Sequence, residues 1–267
     1  MPVTRWHSLF VAACLGAVSS GVQAGDGLRF SFERIEEHGR PALWLKGEIA
    51  EGDLHRLQRY LRNHADAFEK HGDRVAFEID GGDVEEAMRL GDFLRDSMVE
   101  AHLPDAYRAR CVSACFFLFT GAVSRHAAPD TISIHRPHFD AADLARARAS
   151  SARERYDTLF DQVRAFLDRM EVPRRLTETL LAVPGNETYR LTRPELEQIG
   201  GTQAWFEDYA AARCGFEPGF AGQLEAVPAS AEEADARESG ELDQAAWCVA
   251  GLRRQQRRRV LEALGND

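Results

Sequence analysis

The chain has 267 residues, with 43 Asp and Glu against 33 Lys and Arg for a net charge of -10, and 44% of its side chains are hydrophobic. That length and mixture exclude a peptide or a disordered tail and leave room for one large domain, or one domain with a small appendage, around a substantial core. The acidic balance excludes a protein built to coat nucleic acid, which needs a dominant positive field to displace phosphate counterions.

At the N-terminus Arg5 precedes the apolar run Leu9–Val18, followed by Val22-Gln23-Ala24 and Gly25. This predicts a secretory signal peptide cleaved after Ala24, and hence an exported protein, periplasmic or secreted. The run is well short of the ~20 residues of a membrane span, and no later stretch is continuously apolar over such a length, so no transmembrane segment is expected. Cleavage removes Cys14 and leaves Cys111, Cys115, Cys214 and Cys248, an even set in a compartment that permits disulfides. The favoured pairing is Cys111–Cys115 with Cys214–Cys248; the first bridge needs a turn to bring its Cβ atoms together. Zinc is the competing use of four cysteines, but the second short knuckle of a zinc site is missing, so no metal is expected.

Leu28–Glu33 and Ala42–Ile49, separated by His38-Gly39-Arg40-Pro41, read as a hairpin or two neighbouring strands. Asp53 can cap a helix with Leu54, Leu57, Leu61, Ala65 and Phe68 at helical spacing and Gly72 as its stop. A strand Arg74–Ile79 leads to Gly81-Gly82, and the next helix sets Val84, Ala87, Met88, Gly91, Leu94 and Met98 on one face. Beyond a linker containing Pro104, a strand at Tyr107–Arg110 runs into a buried helix through Cys111–Phe119, and Thr131–Ile134 is a strand ending at His135. A long helix carrying Tyr156, Phe160, Val163, Leu167 and Met170 follows, then a shorter one at Leu176–Leu181, a short strand at Tyr189–Thr192 and a helical turn at Pro194–Ile199. The alternation predicts an α/β domain with a largely parallel sheet over residues 25–204. Residues 205–267 read as a C-terminal extension, an acidic linker followed by a helix at Leu242–Leu264. Arg253, Arg254, Arg257, Arg258 and Arg259 read as a solvated face of that helix, complementing its dipole.

Three elements carry chemistry through their order: Gly81-Gly82 after a strand, Ser113 where a strand meets a helix, and His135 at the end of the next strand. Singly, each has a bland explanation as a tight turn, a core serine or a surface histidine. Together they supply an acyl-transfer site. A serine hydroxyl is a weak nucleophile until a base takes its proton, and neutral imidazole is suited to that near pH 7. Ser113 is therefore the candidate nucleophile and His135 the base. A developing oxyanion needs backbone N–H donors, which a glycine turn and the residue after the nucleophile can provide, so Gly82, with Gly81, and Ala114 form the candidate hole. Cys115 is an alternative nucleophile if its thiol is free. His135-Arg136-Pro137-His138-Phe139-Asp140 could offer metal ligands, but the proline spoils a helical ligand geometry.

The stretch Ser113-Ala114-Cys115-Phe116-Phe117-Leu118-Phe119-Thr120-Gly121-Ala122, with Arg125, Pro129 and Ile134-His135-Arg136-Pro137, resembles the nucleophile helix and histidine strand of the Clp protease proteolytic subunit. Phe77-Glu78-Ile79-Asp80-Gly81-Gly82 resembles the glycine turn of that family, and Cys-x-Ser-x-Cys on a chain with a signal peptide resembles the exported ClpP/crotonase-like proteins of bacteria. The resemblance covers about residues 42–200. It implies a spiral of ββα units, serine-peptidase chemistry in one branch and acyl-thioester chemistry in the other, and assembly into homo-oligomers. Asp80 departs from the family's proline, and the Ser113-to-His135 interval is a few residues short. The family's third triad residue falls near Asn186-Glu187-Thr188, where Glu187 could orient His135 and a strict count from Pro194 lands on Thr188. The resulting expectation is a hydrolase acting on a peptide or protein without ATP or a cofactor. The alternatives are a catalytically inactive binding protein on the same scaffold and, third, an acyl-CoA enzyme, disfavoured because coenzyme A is not normally available outside the cytoplasm.

Overall fold

A computed structural model describes residues 27–35, 39, 41–104, 109–138, 149–217 and 240–265. The signal-peptide reading, the acidic linker, Tyr107 and most of the turn before Pro41 fall outside the described residues. The strands are β1 (Arg29–Arg34), β2 (Pro41–Ile49), β3 (Arg74–Gly82), β4 (Glu100–Leu103), β5 (Arg110–Val112), β6 (Ser124–Ala127), β7 (Ile132–Ile134), β8 (Tyr189–Arg190) and β9 (Gly201–Thr202). The helices are α1 (Asp53–Asn63), α2 (Ala65–His71), α3 (Val84–Asp96), α4 (Cys115–Gly121), α5 (Ala149–Arg169), α6 (Arg174–Ala182), α7 (Arg193–Ile199), α8 (Ala204–Cys214) and α9 (Gly240–Gly265).

This is an α/β fold with one mixed sheet. β1 and β2 form the expected antiparallel pair, and β2 then runs parallel to β3. On its other edge β3 forks: Arg74–Ala76 pair with β4, whereas Glu78 and Ile79 pair with β5. β4 continues to β6 and β9, and β5 continues to β7 and β8, with the β6–β9 and β7–β8 pairings antiparallel. The predicted parallel character comes from these crossovers, each of which needs a helix or long connection to bring the chain back.

Helix packing fixes where the strands end. Leu57, Leu61 and Phe68 are fully buried as their spacing requires, but the helix breaks at His64 (φ -125°), so one predicted helix becomes α1 and α2. Asp53 is buried and serves the loops around it: its carboxylate accepts the N–H groups of Leu28 (3.0 Å) and Ala50 (2.7 Å) and pairs with Arg56. Glu86 on α3 accepts the Leu54 N–H at 2.6 Å, tying α1 to α3. α3 meets α4 through small residues, since a Cβ on Gly91 would press on the Phe117 carbonyl and one on Gly121 would overlap the Gly91 backbone. Every residue of α4 is buried, as its apolar sequence predicts.

The C-terminal helix docks through the arginines that sequence alone leaves in solvent. Arg253 and Arg257 are buried; Arg253 pairs with Glu100, donates to Ser124 Oγ at 2.9 Å and lies 4.9 Å from the Phe206 ring centre, while Arg257 donates to the Glu69 carbonyl at 3.0 Å. Arg254, Arg258 and Arg259 are exposed, so the solvated face is real but carries three of the five. Burial pushes Arg253 down to about 10, which leaves it charged at neutral pH. A disulfide joins Cys214 at the end of α8 to Cys248 on α9. No helix among the described residues is long and apolar enough to cross a membrane.

The last residue of β3 is the tightest backbone position. Gly82 has φ 121°, and a Cβ there would overlap the Ile49 carbonyl, against which β2 and β3 pair. Gly52 also has positive φ, 85°, but faces open space. Gly82→Ala should therefore cost about 3 kcal/mol or more, combining strain with overpacking, whereas Gly52→Ala should cost about 1 kcal/mol. Urea denaturation midpoints of the two variants measure the contrast.

Candidate active site

Gly81-Gly82, Ser113 and His135 stand at the carboxyl ends of β3, β5 and β7, three neighbouring parallel strands. Crevices at the carboxyl ends of strands are where open α/β sheets take ligands. The motif order legible in the sequence is thus converted by parallel pairing into spatial adjacency.

Ser113 leaves β5 with φ 56°, a left-handed conformation that costs a non-glycine residue about 1–3 kcal/mol. Its N–H donates to the Ser133 carbonyl of β7 at 2.8 Å, and its own carbonyl accepts the Phe116 N–H at 3.0 Å. The chain therefore turns from strand to helix within two residues, with Ala114 as the N-cap of α4. A strained strand-to-helix turn of this kind presents a serine hydroxyl at the end of a sheet. The hydroxyl of Ser113 makes no hydrogen bond among the described residues, and its side chain is half-buried. Cys111 in β5 and Cys115 at the start of α4 close the turn as a disulfide, with Cα atoms 5.1 Å apart. Both are fully buried, which takes Cys115 out of contention as a free thiol.

Gly81 lies against the serine. A Cβ at Gly81 would stand 3.2 Å from Ser113 Cβ and 3.6 Å from its Oγ, so the glycine leaves the space beside the hydroxyl free of a side chain. Gly81 and Gly82 both have strongly positive φ, 117° and 121°. Gly82 is pinned from the opposite side, where the Asp83 N–H donates to the Ile49 carbonyl at 2.9 Å.

His135 follows β7 directly and is half-buried. Its Nδ1 lies 2.9 Å from the Arg136 carbonyl oxygen, which can only accept, so Nδ1 is the donor there and the lone pair of a neutral ring sits at Nε2. That is the tautomer a general base requires. The Arg136 N–H in turn donates to the Val183 carbonyl at 3.0 Å. No hydrogen bond joins Ser113 to His135 among the described residues. Catalytic hydrogen bonds commonly tighten only with substrate bound.

Glu187 sits in an exposed turn closed by its N–H to the Pro184 carbonyl at 3.0 Å, and its carboxylate makes no hydrogen bond or ion pair among the described residues. Thr188 is exposed as well. The acid held firmly in this region is Glu195, which accepts from the Tyr189 hydroxyl (3.0 Å), the Thr192 N–H (2.8 Å) and the Thr192 hydroxyl (2.7 Å) and so caps α7. The imidazole thus has a carbonyl where the resemblance implies a carboxylate.

Sequence reasoning missed the ion pair beside the glycines. Arg110 donates from Nε to Asp80 Oδ1 at 2.6 Å and from Nη2 to Asp80 Oδ2 at 2.8 Å, with Glu78 3.5 Å from Nη1. The Arg110 hydrogen bonds hold the Asp80 carboxyl below the usual carboxylate range, and the same bonds raise Arg110. Acids at alternate positions of one strand and an arginine on the next were the available signal, but it needed the β3–β5 register to be read.

No family model and no curated protein matches the sequence. Among solved structures the chain is similar to a ClpP1 variant from Listeria monocytogenes, at 13% identity and a TM-score of 0.41, over 60% of this chain and 86% of that one. It is similar also to a variant of the 1510-N membrane-bound stomatin-specific protease, at 15% identity and a TM-score of 0.43, over 66% of this chain and 84% of that one. A second variant of that protease, in complex with a substrate peptide, matches at 18% identity and a TM-score of 0.41, over 61% and 72% of the two chains.

Both bridges can be checked chemically. Alkylation of the denatured, unreduced protein should leave Cys111, Cys115, Cys214 and Cys248 unmodified, and alkylation after reduction should modify all four, read by peptide mass.

Proposed function

We propose that the chain is an exported serine hydrolase of the ClpP/crotonase type, a peptidase that works without ATP or a cofactor. The observation that carries this reading is the left-handed Ser113 at a strand-to-helix turn, with Gly81 leaving the space beside its hydroxyl free of a side chain. In this reading Ser113 Oγ attacks the substrate carbonyl, and His135 takes the hydroxyl proton at Nε2 and returns it to the leaving amine. The N–H groups of Gly82 and Ala114, with Gly81 shaping the turn, stabilise the oxyanion, a contribution worth about 10²–10³ in rate per donor in such sites. The Arg136 carbonyl holds the imidazole in the required tautomer, and Glu187 takes part only by swinging onto His135 when substrate binds.

Two disulfides fit an oxidising compartment, which supports export and cleavage after Ala24. The same reading divides the mature chain into a ClpP/crotonase-like domain at 25–204 and an extension at 205–267, and takes a peptide or protein as substrate and a homo-oligomer as the working form.

A second reading, a catalytically inactive peptide-binding scaffold, is favoured by the lack of a carboxylate at His135 among the described residues. Loss of the orienting acid in a triad can lower kcat by about four orders of magnitude.

Fluorophosphonate labelling of the mature protein, read by intact mass, separates the two. The hydrolase reading expects stoichiometric labelling that disappears in Ser113→Ala, falls at least about 100-fold in rate in His135→Ala, and changes less than about threefold in Glu187→Gln. A folded sample that takes no label supports the scaffold and overturns the hydrolase.

A further inference from the structure

The two glycines of the oxyanion turn are held unequally. Toward β2 Gly82 is fixed by the ladder, in register with Ile49 and with the Asp83 N–H bonded to the Ile49 carbonyl at 2.9 Å, while Gly81 falls in the register shift between the Ile79 and Gly82 pairings. Toward β5, the strand that carries the nucleophile, the ladder consists of Glu78 with Arg110 and Ile79 with Cys111, and it stops there. Gly81 and Gly82 therefore extend past the last β3–β5 pairing, at the point where the backbone has the least conformational restraint of its own. The relative position of the Gly82 and Ala114 N–H groups depends on what spans that gap.

The spanning contact is the Asp80–Arg110 fork. Asp80 is the residue before Gly81, and Arg110 lies in β5 three positions before Ser113. Their paired hydrogen bonds, 2.6 and 2.8 Å, have the bidentate geometry that fixes direction as well as distance, and Glu78, the register partner of Arg110, lies 3.5 Å from its Nη1. The pair is half-exposed, with side-chain exposures of 49% for Arg110 and 56% for Asp80, so it contributes little to global stability. Its position is unusual for a surface pair, since it joins the two strand ends whose separation sets the geometry of the hole.

We infer that Asp80 and Arg110 are positioning residues, a charged clamp that holds the glycine turn at its working distance from Ser113. This rests on the hydrolase reading above. The clamp touches neither nucleophile nor base; it acts by limiting how far Gly81 and Gly82 drift from β5. A displacement of about 1 Å at such a site costs up to ~10²-fold in rate, so a loosened clamp should cost about tenfold.

The test is the kinetics of fluorophosphonate labelling of the mature protein over a range of probe concentrations. Asp80→Asn, which keeps the side chain's shape and removes its charge, should lower the limiting rate about tenfold, with the half-saturating probe concentration and the melting temperature unchanged. The double exchange Asp80→Arg with Arg110→Asp should return the rate to within about threefold of wild type. Salt gives a second measurement that needs no variant: raising ionic strength from about 0.01 M to about 1 M shortens screening from ~30 Å to ~3 Å. Wild type should slow toward the Asp80→Asn rate as salt rises, while Asp80→Asn stays flat. An Asp80→Asn protein that labels at the wild-type rate overturns the clamp while leaving the hydrolase standing. A change confined to the half-saturating concentration also overturns it, and assigns Asp80 to substrate contact instead. A wild-type protein that takes no label overturns both readings.

Discussion

The backbone of β3 carries ladders on both edges, to β2 along its length and to β4 and then β5 on the other side. A slip of one residue along it would turn Phe77 and Ile79 out of the core and Glu78 and Asp80 into it, so the register is fixed by burial on every side. The fork matters because it sends two branches of the sheet in different directions from one strand, and only the β5–β7 branch ends beside the glycines. Gly82 closes the system, because β2 approaches so closely that no side chain fits. The precision of the candidate site is thus inherited from backbone pairing, and the side chains of Ser113 and His135 are placed by where their strands stop.

Much of the fold was legible because strong periodicity and strong punctuation coincide. Leu57 and Leu61, or Val84, Ala87 and Leu94, mark helices by spacing, and the apolar run that ends at Phe119 can only be buried. What escaped were short polar strands. β4 and β6 hold His102, Ser124 and Arg125, which look like loop residues until partners remote in sequence accept them into the interior. β9 is two residues long and leaves no pattern. α8 lies where the chain reads as the start of a linker, because the partners that bury Phe206 include Met98 and Val123, which are remote in sequence. The site divides in the same way. The order of glycines, serine and histidine is a local signal at strand ends, whereas the left-handed Ser113, the carbonyl partner of His135 and the Asp80–Arg110 fork depend on tertiary geometry.

Buried guanidinium groups recur in this acidic chain, and they work chiefly on backbone. Arg125 donates to the carbonyls of Ala122 (3.2 Å), Ile199 (3.3 Å) and Met170 (2.7 Å) and also to that of Thr120, so one side chain gathers α4, the end of α5 and α7 around β6. Burial pushes it down to about 9, still above neutral pH, and the carbonyl dipoles replace the water it has lost. A lysine could not repeat this, because a compact ammonium lacks the planar fork that reaches several acceptors at once. Arg253 plays a related part for α9, with Glu100 and Ser124 as its acceptors. The basic character of the C-terminal helix is therefore partly an internal fastening.

The bond between Cys214 and Cys248 bears on how the chain responds to a cut. It spans a sequence separation of 34 residues and makes the covalent route from α8 to α9 independent of what lies between. Among the described residues the anchoring of α9 rests on the bridge and the buried arginines. A cut of the chain anywhere between the two cysteines would accordingly leave α9 covalently attached to α8 until the bridge is reduced.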